Sequence, residues 1–285
     1  YTFLPTLITD TQARSQAAID AVAMAIEKGV PGIAGIHLEG PHLSIARKGV
    51  HEPSLIRSMS DTDLNMIADA TQRLPNVMLT VAPESVTIPQ TQTLAQAGVI
   101  VSLGHTNADY DTCMAYMAAG ARNTTHLFNA MSQLGSRNPG LVGATLDSGD
   151  VSASLIADAV HVHPASMRAA LRAKKGSSKI YLVSDAMAAA GSDLSQFILN
   201  GRTVFRRTGT LRLLDGTLAG ADIDMPRSIE TLVRQVGIDA AQAISMATSI
   251  PANMLTLKGG YGLRKAASKE NLLYMDREFN LKDLG

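Results

Sequence analysis

Six short apolar runs end on, or just beyond, a residue that can bind metal, move protons or hold a polar substrate. These are Glu39 after "GIHL", Glu84 in "VAPE", His105 in "SLGH", His126 in "THLFNA", Asp158 with His161 in "IADAVH", and Asp185 in "LVSDA". Glu39, His105 and His126 together offer one carboxylate oxygen and two imidazole nitrogens. That set suits zinc or a similar divalent ion and leaves a position for water. Such an ion lowers the pKa of its water towards ~7 and polarises a carbonyl, so hydrolysis is the natural chemistry. Asp185 has the type and place of a group that takes a proton from water and passes it to a leaving group.

Each residue also has a plain structural reading. A single histidine at the end of a strand is more often a satisfied structural residue than a ligand. Three possible ligands and an acid at successive run ends shift the balance towards a shared site. Glu84 is open between metal ligand, partner of a ligand and ion-pair residue, with the structural role favoured. Asp158 reads as a cap of the turn before "HVHP", His163 as a solvated loop residue, and His42 has no assigned role. Arg206, Arg207, Lys174 and Lys175 read as solvated faces. Asp10, Asp61 and Asp109 sit near helix starts. Met114 and Met117 read as helix packing, and Cys113 as a small buried residue rather than a nucleophile.

The elements that must position these groups are legible as alternating strands and helices. Seven runs rich in β-branched residues recur: "TFLPTLIT", "GIAGIHLEG", "NVMLTVAPE", "GVIVSLGH", "NTTHLFNA", "VSASLIAD" and "KIYLVSDA". Between them Ile19, Val22, Ala23 and Ile26 repeat at helical spacing, as do Leu64, Ile67 and Ala68, and the stretch from Tyr110 to Ala119. Gly29, Gly98 and Gly120 read as helix terminators. The pattern predicts an α/β fold with a parallel sheet, the TIM-like (β/α)8 barrel, in which strand ends gather at one rim and active sites sit there. An eighth strand is not found. The stretch "LNGRTVFRRTGTLRLLDGTLAG" reads as a hairpin excursion at about 197–220, with turns at Asn200-Gly201 and Asp215-Gly216. Helical stretches follow over about 224–236 and 239–255. The domain expectation is a catalytic barrel over 1–258 and a tail over 259–285, a remnant of a small β-sandwich.

Composition narrows the partners. The 285 residues are 46% hydrophobic, enough to build a substantial core. Formal net charge is zero and basic residues are scattered, which argues against a nucleic-acid stripe or a membrane-surface patch. No run reaches the roughly 18 apolar residues of a spanning helix. The single cysteine excludes an internal disulfide and fits a reducing compartment, so a cytoplasmic location is expected. The sequence opens at Tyr1 directly in a strand-like run, without an initiator methionine, as expected of a fragment.

With these residues in view, the chain resembles the N-acetylglucosamine-6-phosphate deacetylase family of the amidohydrolase superfamily. The likeness rests on an ordered set of motifs: "LPTLIT", "HLEGPHLS", "KGVHEP", "VAPE", "SLGHTNA", "THLFNAM", "RNPGLVGA", "IADAVHV", "LVSDAM" and "GTLAGA". The resemblance implies metal ligation by Glu39, His105 and His126, with zinc the expected ion, and proton transfer by Asp185. It implies that His51 of "KGVHEP" orients and polarises an acetamide carbonyl, and that Val50, Asn129, Ala130, Arg137, His161, Leu218, Ala219 and Gly220 contact substrate. The arginine matching Arg137 reaches a neighbouring subunit in that family, which implies a homodimer. A guanidinium suits the task because its fork of donors matches phosphate oxygens. The implied reaction removes acetate from N-acetyl-D-glucosamine 6-phosphate in amino-sugar catabolism. Two alternatives stand beside it: another amidohydrolase of dihydroorotase or deaminase type, and a catalytically silent sugar-phosphate-binding subunit. The family's first barrel strand and the strands of its small β-sandwich have no counterpart in this sequence, and "DAMAAAG" lacks a proline often seen in that loop.

Overall fold

The computed structural model describes residues 2–177, 179–257 and 272–282. Of the expected sandwich remnant at 259–285, only 272–282 lie among the described residues. The chain forms two compact units, the first drawn from Tyr1–Ala153, Lys175–Lys179 and Leu255–Leu257, the second from Ser154–Lys174, Ile180–Met254 and Lys258–Gly285.

The first unit alternates strand and helix: β1 (Thr6–Ile8), α1 (Gln12–Glu27), β2 (Ile36–Glu39), α2 (Asp61–Ala70), β3 (Val77–Val81), α3 (Ile88–Gln96), β4 (Ile100–Leu103), α4 (Tyr110–Ala118), β5 (Asn123–Thr124), α5 (Gly140–Asp147) and the start of β6 (Ser152–Leu155). Its strands pair in parallel and in sequence order. Strand β6 is shared by the two units. In the second unit α6 (Pro164–Ala173) precedes β7 (Ile180–Leu182), the last strand of the seven-stranded sheet ordered β1 to β7. All seven runs read from the sequence are strands of this sheet, and the succession of parallel strands with helical crossovers is that of a TIM-like barrel fold.

The central sheet strands are buried on both faces, as in parallel sheets generally, whereas the edge strand β1 is partly exposed. All five residues of β3 are buried, and Leu79 and Val81 expose 0% of their surface. Helix starts follow their caps. Ser60 and Asp63 form a reciprocal capping box at α2, and Thr87 with Gln90 forms another at α3. Asp109 caps α4 by accepting from the Thr112 N–H, whereas Asp61 is the first residue of α2 and leaves the cap to Ser60. His163 also caps a helix, α6, its side chain accepting from the Ala165 N–H. After α1, α3 and α4 the chain turns through left-handed Gly29, Gly98 and Gly120, with φ of 69°, 91° and 122°.

The second unit carries a four-stranded antiparallel sheet of β8 (Gln196–Leu199), β9 (Arg202–Arg207), β10 (Thr210–Arg212) and β11 (Leu218–Ala221), ordered β11-β10-β9-β8. The β8–β9 turn passes through Asn200 and Gly201 at φ of 48° and 75°, the left-handed pair an Asn-Gly turn requires. Helix α7 (Met225–Thr231) runs into a π-helical turn at Leu232–Val236, followed by α8 (Ala240–Ala247) and α9 (Ser249–Ala252). Strands β12 (Tyr274–Met275) and β13 (Leu281–Lys282) pair in a short hairpin.

Candidate active site and metal centre

Register places the first residue of the site. Ile8, Glu39, Thr80, Ser102 and Asn123 stand level across β1 to β5, so Glu39 is the last residue of its strand in a row otherwise filled by apolar or neutral polar groups. His105 and His126 each lie two residues past the ends of β4 and β5. Both have left-handed backbones, with φ of 47° and 32°. Such conformations cost a β-carbon-bearing residue energy and cluster where function demands a particular side-chain direction.

The three side chains converge. His105 Nε2 lies 2.9 Å and His126 Nε2 3.1 Å from Glu39 Oε1, and the two nitrogens are 3.1 Å apart. All three residues are buried, at 4–5% exposure. His105 Nδ1 lies 2.8 Å from the Arg47 carbonyl, which only accepts, so Nδ1 carries the proton and Nε2 presents a lone pair to the carboxylate. A lone pair facing an anion across 2.9 Å is repulsive unless a cation sits between them, so the donor set fits a divalent ion. Burial pushes the His105 imidazole down to about 4, which keeps it in the neutral form a metal needs. Burial acts to raise the Glu39 pKa, but the imidazoles of His105, His126 and His51 around it outweigh burial and hold the carboxyl well below the usual range. The three residues form a possible Glu/His/His metal site.

His51 stands beside this trio, its Nε2 3.7 Å from Glu39 Oε1 and its ring edge-on to His105 at 4.4 Å. Thr9, just past β1, sets its protonation. The Thr9 backbone N–H donates to His51 Nδ1 across 3.3 Å, and Thr9 Oγ1 lies 2.7 Å from the same nitrogen. A nitrogen that accepts from an amide is unprotonated in the neutral ring, so the proton sits on Nε2 and faces the trio. The imidazole is thereby a hydrogen-bond donor towards the place where an ion and a carbonyl would meet. The motif "LPTLIT" contained Thr9, but nothing in its spacing tied it to His51, 42 residues away.

Below the ligands runs a buried polar ladder that the sequence reading missed. His37 Nε2 meets Thr80 Oγ1 at 2.7 Å, Thr80 meets Thr125 Oγ1 at 2.7 Å, Thr125 meets Ser102 Oγ at 2.6 Å, and Asn123 Nδ2 donates to Ser102 at 2.9 Å. Gly104 lies between Thr80 and Thr125, where a β-carbon would come within 3.0 Å of both. The ladder satisfies hydroxyls that would otherwise be costly to bury. Glu84 takes the structural role favoured for it, accepting from Thr106 Oγ1 at 2.6 Å and the Asn107 N–H at 2.8 Å.

The other expected contact residues fall in two groups. In the first unit, Val50 directly precedes His51, and Asn129 and Ala130 follow His126 in a turn closed by the Asn129 N–H to the His126 carbonyl at 2.9 Å. Ala130 is left-handed, with φ of 48°, and Arg137 is exposed on the loop before α5. In the second unit, Asp158 holds His161: its Oδ2 lies 2.6 Å from His161 Nδ1, and its Oδ1 accepts the His161 and Val160 N–H groups. Burial acts to raise the Asp158 pKa, but the His161 hydrogen bonds outweigh it and lower it. Asp158 is therefore both turn cap and histidine partner. Asp185 lies three residues past β7 with φ of 48°, and its carbonyl accepts the Ala221 N–H at 2.9 Å. Leu218, Ala219 and Gly220 form the strand beside it, and a β-carbon on Gly220 would come within 2.8 Å of the Asp185 carbonyl oxygen.

Two readings of bystanders change or sharpen. Arg206 is partly exposed but not merely a solvated residue: its guanidinium pairs with Asp222 and donates to backbone carbonyls. Hydrogen-bonding demand around a loop, invisible in local sequence, recruits it. Cys113 is buried, with burial first among the causes raising its thiol to about 12, so it is no nucleophile.

The parallel strand–helix sheet with a Glu/His/His cluster beyond its strand ends defines the amidohydrolase type of fold and site. Residues 2–263 match the amidohydrolase family, and the chain belongs to it. Within that family the likeness is to amino-sugar phosphate deacetylases. The chain is 44% identical over 252 residues to an N-acetylgalactosamine-6-phosphate deacetylase of Shewanella sp. (strain ANA-3), covering 88% of this chain and 63% of the relative. It is 36% identical to the N-acetylglucosamine-6-phosphate deacetylase of Haemophilus influenzae, covering 95% of this chain and 70% of the relative. The crystal structure of N-acetylglucosamine-6-phosphate deacetylase from Pasteurella multocida superposes with a TM-score of 0.92 at 34% identity, covering 98% of this chain and 73% of that one. The chain thus spans about two thirds of the length of these relatives.

Proposed function

We propose that this protein hydrolyses the acetamide of an N-acetylhexosamine 6-phosphate, N-acetyl-D-glucosamine 6-phosphate in the first instance, to the amine and acetate. The observation that carries the reading is the convergence of Glu39, His105 and His126 with His51 presenting an Nε2 proton beside them. A divalent ion held by the trio, zinc by its donor set, supplies Lewis-acid polarisation and water activation. His51 donates its Nε2 proton to the oxygen that gains charge when the acetyl carbon becomes tetrahedral. Asp185 receives the proton released by water and delivers it to the departing amine, so one carboxylate serves as base and then acid. Asn129, Ala130 and Arg137 hold the phosphate, and His161 with the Leu218–Gly220 strand holds the sugar. Arg137 does so for a second copy, in a homodimer, and the protein works in the cytoplasm on soluble sugar phosphates. Among the described residues no helix is long and apolar enough to cross a membrane.

A second reading keeps the chemistry and changes the sugar. The Shewanella relative, at 44% identity, is named for the galacto sugar, which differs from the gluco one in the configuration of a single hydroxyl. Acetate release from both epimers, with and without added zinc, tests the two together. Release from either that depends on metal supports the deacetylase, and the larger kcat/KM assigns the sugar. No release from either by metal-loaded protein overturns the proposal. In an Asp185→Asn variant, turnover should vanish while ligand affinity remains; a pure binding subunit would have no turnover to lose.

A further inference from the structure

We propose that Arg206 and Asp222 are a positioning pair that clamps the loop carrying Asp185, and that turnover depends on this clamp. The inference rests on the reading of Asp185 as the proton-transfer residue.

The observations lie within the second unit and close into a ring. Asp222 directly follows β11, and its two carboxylate oxygens take the Arg206 fork, Nε to Oδ2 at 2.9 Å and Nη2 to Oδ1 at 2.9 Å. This bidentate geometry fixes the guanidinium plane and leaves Nη1 aimed away from Asp222. Nη1 donates to the Ser192 carbonyl at 2.5 Å and reaches the Ala189 carbonyl at 3.4 Å. Those carbonyls belong to the loop that leaves Asp185, which is wound into successive turns by Ala190 N–H to Met187 and Ser192 N–H to Ala189. At the other end of the ring, Ala221 donates its N–H to the Asp185 carbonyl, and Ala186 pairs with Ala221 as an isolated parallel bridge. One short segment, Ala221-Asp222, therefore holds the Asp185 backbone directly and the far end of its loop through Arg206. Arg206 is itself anchored at the backbone, its N–H bonded to the Ser195 carbonyl at 2.8 Å.

The clamped loop runs over residues 186–192. Its side chains are chiefly alanines, with Ala186, Ala188 and Ala190 exposed and Ala189 buried. Asp185 must also stay left-handed, at φ of 48°, a conformation the surroundings have to enforce. A misplacement of about 1 Å in a reacting group can cost up to ~100-fold in rate. The pair belongs to the second unit and the trio to the first, so its loss is expected to act on proton transfer and not on metal content.

The test uses the whole, zinc-loaded protein and four variants: Arg206→Met, Arg206→Lys, Asp222→Asn and Asp185→Asn. Arg206→Met and Asp222→Asn should each lower kcat at least ~10-fold, with KM changed by less than about threefold and zinc content unchanged. The acid limb of the pH–rate profile, on which a general base becomes protonated, should be displaced in both, a change that general loosening of the fold would not produce. Arg206→Lys, which keeps charge but loses the fork, should recover only part of the loss. Asp222→Asn keeps side-chain size and decides the matter if Arg206→Met does not fold. If Asp185→Asn abolishes turnover while Arg206→Met or Asp222→Asn keeps the parent kcat and pH profile, the clamp is refuted and the reading of Asp185 stands. If Asp185→Asn retains turnover, that reading fails and the clamp falls with it.

Discussion

At the scale of single residues the site is a problem of tautomers. His105 gives its Nδ1 proton to a carbonyl and turns a lone pair inward, whereas His51 takes an amide proton at Nδ1 and turns an N–H inward. Two identical side chains thus present opposite faces, one a lone pair suited to a metal and the other an N–H, through one backbone contact each. Thr9→Val removes only the hydroxyl from this arrangement, so we expect kcat to fall about 10-fold with metal content unchanged, measured by steady-state kinetics alongside elemental analysis. His105→Asn should instead leave the protein substoichiometric in zinc after dialysis against a chelator, read by the same elemental analysis. Full zinc retention by that variant would count against the trio as ligands. The residues that converge, Glu39, His105 and His126, were legible from their places at run ends. Thr9, the Thr80–Thr125–Ser102 ladder and Arg206 were not, because their roles exist only through contacts with residues far away in the chain.

Elements position these residues through register. Glu39 ends β2 level with Thr80 of β3, and that pairing depends on close approach of the backbones just before the strands. Gly35 has φ of 140°, and a β-carbon there would lie 2.1 Å from the Asn76 carbonyl oxygen. Gly35→Ala should therefore cost about 2–3 kcal/mol in denaturant unfolding, from backbone strain and forced separation of β2 from β3. Removing the Ser60 cap of α2 by Ser60→Ala should cost only about 1 kcal/mol, because it deletes hydrogen bonds without moving a strand. Equal costs in the two variants would show that the glycine contact does not set register. The strands and most helices could be read from periodicity, and so could the Asn200-Gly201 turn. The side-chain cap by Ser60, just before Asp61 at the helix start, and the π-helical turn at Leu232–Val236 could not, since both depend on which hydrogen bond wins locally.

For the molecule as a whole, buried titratable groups couple stability to acidity. His42 exposes 0% of its surface, and burial first of all holds its pKa below 6.5. The unfolded chain therefore binds a proton that the native state refuses as pH falls through 6.5. Stability contributed by neutral His42 is present above that value and declines below it. Asp63 adds a second, more acidic loss. Burial acts to raise its pKa, yet hydrogen bonds from Ser60 and Arg57 bring it below 3.8, so its contribution holds above 3.8 and fades as pH falls through the native value. The urea midpoint should drop on acidification from neutral pH, and His42→Gln should flatten the drop between about pH 6.5 and 5. An unchanged slope in that variant would show that His42 is not the source.

The order of the strands, the alternation of strand with helix and the residue types of the Glu/His/His cluster were determined by the sequence alone. Apolar periodicity and strand-end placement are local properties that a linear reading captures. Tertiary structure decided which nitrogen of each histidine carries its proton, which hydroxyls satisfy one another beneath the ligands, and that a surface-looking arginine grips the loop of Asp185. Those outcomes depend on distances of about 3 Å between groups tens of residues apart, and only the folded chain brings them within hydrogen-bonding range.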